Sequence, residues 1–127
     1  MNPEVAEAIA EIQQAFAANR VQVIEEPQGG AHIIVYDLDI GASYQPTTTW
    51  VGFSIPFQYP HADIYPHFMD GSVRRADGQP FGPGLTGPTP WQNRSALQVS
   101  RRSPQWNAAT DTAALKLLKV LEWIRSQ

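Results

Sequence analysis

Two amphipathic helical patterns bracket a β-rich middle, and this arrangement narrows the possible folds more than any other feature of the chain. Over residues 3–19 the spacing of Val5, Ala8, Ile9, Ile12, Ala15 and Phe16 predicts a helix with one apolar face. Pro3 suits its first turn, Glu4 and Glu7 suit its positive end, and Asn19 is a C-terminal stop. Over residues 111–126, Ala114, Leu117, Leu118, Leu121 and Ile124 form a second apolar face, with Asp111 or Thr110 as cap. Lys116, Lys119 and Arg125 are expected to turn outward or toward the helix's negative end. Each helix must bury its stripe, and the segment between them offers a sheet.

That segment begins with strand signals. "VQVIEE" alternates and is β-branched, "PQGG" is a turn, and "AHIIVYDLDI" is apolar and β-rich. "GASYQPTTT" reads as a loop. "TWVGFSIPF" is a third strand, with Trp50, Gly52 and Ser54 alternating against Val51, Phe53 and Ile55. "DIYPHFM" is a short fourth strand that Pro66 confines to an edge or a strand end. Neighbouring strands tend to pair. The expected fold is α+β: an N-terminal helix, a four-stranded antiparallel meander, a long flap and a C-terminal helix. At 127 residues and 43% hydrophobic, the chain reads as a single domain over residues 1–127.

Residues 70–95, "DGSVRRADGQPFGPGLTGPTPWQNRS", are dense in glycine and proline and have no period. A loop of this length within a small domain is expected to be functional or to be an irregular connection packed by Phe81, Leu85 and Trp91. "GPGLTG" lacks the lysine and spacing of a phosphate loop.

Charge and composition exclude several functions. The net charge is −3, which gives no general basic footprint for nucleic acid. No apolar run is long enough for a membrane helix, and the first twenty residues lack a secretory pattern, so a cytoplasmic protein is expected. There is no cysteine, which rules out disulfides, thiolate metal sites and thiol catalysis in this chain. His61 and His67, with Asp63 between them, match no strong metal pattern, so neither metal nor cofactor is expected. Both read as loop histidines, His67 being a base only if the flap folds over it, and His32 as a surface or capped strand residue. Trp106 and Trp123 read as core, and Leu97 and Val99 as the inward positions of a short strand.

The segment "WVGFSIPFQYPHADIYPHF", followed by "ALQVSRRSPQWNAATDTAALKLLKVLEWI", resembles the ubiquitin-conjugating-enzyme fold in its order of parts. In that family a helix precedes a four-strand meander. A Tyr-Pro motif links the third and fourth strands, and a flap carries the active site before a tryptophan and a helix. The resemblance covers residues 3–126 and is most similar to divergent bacterial members encoded beside a ubiquitin-like protein, an activating enzyme and a peptidase, often in antiphage-defence operons. It implies two partners, a ubiquitin-like protein and a ubiquitin-activating-enzyme-like protein. Tyr59-Pro60 and Tyr65-Pro66 then form a stiff aromatic corner with a scaffold role.

The chain departs from the family where the chemistry should lie. Aligning Leu97 and Trp106 places Ala96 where the family has its nucleophilic cysteine. The proline after the tryptophan and the family's His-Pro-Asn motif are also absent. Asn93, in "WQN", could supply an amide to an oxyanion, or be a plain surface asparagine. Three accounts of Ala96 stay open. It could replace a natural cysteine. Ser95 or Ser100 could carry an oxyester instead, given an activated donor. Or the chain could bind a ubiquitin-like partner without chemistry. If Ala96 marks the acyl-carrying position, it should sit at the exposed lip of a groove between the flap and the second helix, with Ser95 pointing oppositely unless the chain bends.

Arg74, Arg75, Arg94, Arg101 and Arg102 lie on the flap and the segment after it. They read either as a docking surface for an acidic partner or a C-terminal carboxylate, or as scattered solvated charge. The functional classes thus carried forward are an acyl carrier in ubiquitin-like conjugation, a non-catalytic binding module of the same fold, and a structural subunit that docks through the arginines.

Overall fold

The computed structural model describes residues 1–127. Helix α1 spans Pro3–Ala15 and α2 spans Ala113–Ser126. Between them run β1 (Val21–Glu25), β2 (Ala31–Asp39), β3 (Tyr44–Gln45), β4 (Thr48–Ile55), β5 (His67–Asp70), β6 (Arg74–Arg75), β7 (Leu85–Trp91) and β8 (Arg94–Val99). Six strands form one sheet in the order β1-β2-β4-β5-β8-β7, and β3 pairs with β6 in a separate two-stranded sheet. All pairings are antiparallel. The chain is therefore α+β, with one helix before and one after the strands in chain order and an antiparallel sheet between them. No helix is long and apolar enough to cross a membrane.

The four expected strands are β1, β2, β4 and β5, and they pair consecutively. The fourth is shorter than its pattern, because Asp63–Pro66 precede the strand rather than join it. The irregular flap over residues 70–95 is corrected more deeply. Its second half is a hairpin, β7–β8, which extends the sheet by two strands. Two prolines and a glycine in "LTGPTPW" conceal β7 from a pattern search. At the sheet's edge a proline removes no interior ladder bond, and the β7–β8 register is broken between Thr86 and Thr89, around Pro88. The turn is Gln92-Asn93, with φ of 48° and 60°. Two consecutive left-handed residues make the tight turn that matches strand twist, and asparagine tolerates that conformation best among non-glycine residues.

Both helix ends also shift. α1 stops at Ala15, and Asn19 lies beyond it, where its Nδ2 donates to the Tyr36 carbonyl at 2.9 Å. Asn19 is thus a tether to β2 rather than the stop. In α2 neither Asp111 nor Thr110 caps. The Thr112 hydroxyl accepts from the Leu115 amide at 3.1 Å. Leu118, expected on the buried stripe, is 46% exposed, while Val120 is buried.

Val5, Ile9 and Ile12 of α1 and Leu117, Leu121 and Ile124 of α2 meet Ile33, Val35, Val51, Phe53, Met69, Leu97 and Val99 in one core. Tyr44 enters the same core and donates its hydroxyl to the Ile124 carbonyl at 2.7 Å, fastening the β3 loop to the end of α2. The opposite face of the sheet has no helix on it. Trp91, at the tip of the hairpin, covers it instead, stacked against Phe68 (5.0 Å) and Trp50 (6.0 Å) and edge-on to His32 (6.1 Å). Gly52 makes this possible, because a Cβ there would overlap the indole of Trp91. Ile34 and Ala96 lie on this outer face by register and are fully buried.

Gly52→Ala should therefore destabilise the domain by overpacking, about 1–3 kcal/mol in denaturant unfolding. In a Trp91→Ala background the same change should cost much less. Equal costs in the two backgrounds would show that the indole is not seated over Gly52.

Candidate functional site

Residues 57–66 form the corner between β4 and β5, and three contacts tie it to the segment that enters α2. The Tyr59 hydroxyl accepts from the Ala113 amide at 3.2 Å. The Trp106 indole N–H donates to the Pro60 carbonyl at 2.7 Å. The Arg102 guanidinium lies 3.9 Å from the centre of the Tyr65 ring. Burial pushes the Tyr59 hydroxyl above its usual pKa. Tyr59 is buried and acts as scaffold. Tyr65 is only half-buried, and its ring serves as a seat for a cation.

The corner also supplies Asp63, and this is where sequence reasoning missed most. Lys116, expected to turn outward, is 3% exposed. Its Nζ reaches both oxygens of Asp63, at 2.9 and 3.2 Å, and the Ser103 hydroxyl at 2.6 Å. The Ser103 amide donates to Asp63 Oδ2 at 2.7 Å. The signal was present. Lys116 stands three residues after Ala113 and four before Val120, on the buried face of α2. Its partner, fifty-three residues away in sequence, could not be read from spacing.

The expected acyl-carrying position does not lie on this cluster. Ala96 is in mid-strand, paired with Asp70 on one side and Thr89 on the other, and is 0% exposed. The exposed lip of a groove is therefore corrected to a buried mid-strand position within the β7–β8 hairpin. Ser95 is exposed, and by alternation it points away from Ala96. Asn93 is the second turn residue, exposed, with no hydrogen bond to its amide side chain. Asn93, Arg94 and Ser95 together line a shallow open depression of about 350 Å³ with Thr89 and Pro90. Ser100 closes β8, where its amide donates to the Gly84 carbonyl at 2.9 Å and its hydroxyl accepts from Gln98 at 3.2 Å.

The five arginines are held by three separate elements. Arg74 and Arg75 form β6, and Arg75 is engaged bidentately by Asp77 at 2.8 and 3.1 Å. That pair holds Arg75 above, and Asp77 below, their ordinary pKa values. Arg94 lies over Trp50 at 5.0 Å and reaches the Tyr36 hydroxyl at 3.5 Å. Arg101 lies over Trp123 at 4.7 Å, beside Arg102. Neither Arg101 nor Arg102 has a carboxylate partner.

His61 is exposed in the corner, as a loop histidine would be. His67 is not a loop residue. It is the first residue of β5, 0% exposed, packed on Phe53 at 5.0 Å, and both ring nitrogens lack a partner. Burial, with the Lys116 charge adding to it, lowers its pKa to about 3. It is a neutral core residue and no base. His32 shares a 2.6 Å hydrogen bond with Ser54 and faces Glu26 at 3.4 Å. No cluster of three metal-ligating side chains exists. No protein family, curated protein or solved structure matches this chain.

His67 makes a sign-specific prediction. The unfolded state takes up the imidazole proton near pH 6.5, and the folded state only near pH 3. Stability due to this residue is complete above pH 6.5 and is lost as pH falls toward 3, with a limiting slope of about 1.4 kcal/mol per pH unit. His67→Leu should remove that part of the acid-side slope, so that the variant gains on the parent as pH drops from 7 to 4. Parallel stability curves for the two proteins would show that His67 is charged or solvated in the fold.

Proposed function

We propose that this chain is a ubiquitin-conjugating-enzyme-like domain that serves a bacterial ubiquitin-like conjugation pathway as a binding module without an acyl-carrying residue of its own. The observation that carries this reading is the tie between the Tyr-Pro corner and the entry to α2. Trp106 donates to Pro60, and Tyr59 receives the first amide of the helix. In the resemblance these are the parts that brace the active-site segment. Here the bracing is intact while the aligned position holds a buried alanine, Ala96. A donor protein's tail has no access to a side chain in mid-sheet, which favours binding over transfer.

The carrier reading keeps one supporting observation. Ser95 and Asn93 are exposed and share the depression at the hairpin tip. A hydroxyl there is open to an activated acyl donor, with an amide close by, but no base touches it.

The test uses a bacterial ubiquitin-like protein and an activating-enzyme-like protein of the kind this reading implies. Isotope-labelled chain should show shifts on adding the ubiquitin-like protein, and no covalent adduct when the activating enzyme and ATP are supplied. Ala96→Cys should likewise remain uncharged. Absence of any interaction with either partner would sink the pathway assignment. A thiol-sensitive adduct on Ala96→Cys, or a hydroxylamine-sensitive one lost in Ser95→Ala, would replace the binding module by a carrier.

A further inference from the structure

Lys116 and Ser103, held together by Asp63 behind them, line a pocket of about 140 Å³ with Arg101, Arg102, Lys119, Val120 and Trp123. Four cations border it, against Asp63 and, 3.9 Å from Lys119, Asp111. The local balance is thus positive in a chain whose net charge is −3. Two sets of donors are left over. Lys116 donates to the Ser103 oxygen, which leaves the Ser103 hydroxyl hydrogen free to point elsewhere. Arg101 and Arg102 lie over the rings of Trp123 and Tyr65, 4.7 and 3.9 Å from their centres, and make no hydrogen bond within the protein, so their N–H donors are free. Each arginine has a ring to lie on, and the Asp63–Lys116 pair holds the serine in place.

We propose that this pocket binds the free C-terminal carboxylate of an extended peptide chain. A carboxylate is planar and matches guanidinium edges in pairs. The volume accommodates that group with one small residue behind it, and is well below the roughly 300 Å³ at which pockets for larger ligands begin. The choice of a protein's C-terminus as the source rests on the proposed function, because a ubiquitin-like partner presents its C-terminus to a domain of this kind. The oxyanion site itself stands on the geometry alone.

The experiment is a chemical-shift titration of the full chain, reading the Ser103 amide and the Trp123 indole. The probes are acetyl-Ala-Gly-Gly with a free carboxylate, the same peptide as its C-terminal amide, and inorganic phosphate. The free acid should bind at least tenfold more tightly than the amide. Arg101→Gln combined with Arg102→Gln, both at exposed positions, should weaken it by a similar factor with the melting temperature kept. Ser103→Ala should weaken it less. Equal binding of acid and amide, or indifference to the arginine substitutions, overturns the proposal. Phosphate binding without peptide binding overturns it too, in favour of a phosphate site. Should the ubiquitin-like protein bind while the free-acid peptide does not, the inference fails and the proposed function stands. Peptide binding without any ubiquitin-like partner leaves the pocket and removes that function.

Discussion

The ion pair between Lys116 and Asp63 joins three pieces of chain that the fold must bring together. Asp63 belongs to the corner after β4, Lys116 to α2, and Ser103, which touches both, to the segment between β8 and α2. A lysine that is 3% exposed cannot be left alone in an apolar core, where an unpaired charge would cost several kcal/mol. The fold therefore holds its C-terminal helix, its corner and its last loop in one relative position or leaves a buried ammonium unmatched. Tyr59 and Trp106 reinforce that joint with hydrogen bonds of their own.

The same joint shapes the surface beside it. Because Ser103 is held by Asp63, the preceding arginines emerge at a defined place, and each finds an aromatic ring to lie on. A charge stacked on a ring keeps its hydrogen-bonding edge. Arg75, by contrast, spends its edge on Asp77. The difference separates cations that are free for a partner from cations that are already satisfied, and it turns five arginines with one apparent purpose into three unequal groups.

The far side of the sheet obeys a different constraint. No helix covers it; the β7–β8 hairpin places Trp91 over the glycine at position 52 instead, and Ile34, paired with that glycine, is fully buried. Ala96, on the same face, is a mid-strand residue flanked by Asp70 and Thr89 and has no exposed surface.

The two helices, the four meander strands, the inward residues of β8 and the scaffold role of Tyr59 were legible in the sequence. Each depends on local periodicity or on a rigid dipeptide, which neighbouring residues determine among themselves. The hairpin was hidden because prolines, which argue against a strand in general, cost little at a sheet edge, and only the assembled sheet says which strand is the edge. The burial of Ala96, the placement of His67 and Lys116 in the core, and the pairing of Lys116 with Asp63 were decided by tertiary structure. Burial and charge pairing depend on which distant segments meet, and a one-dimensional pattern carries the period of a face but not the identity of what covers it.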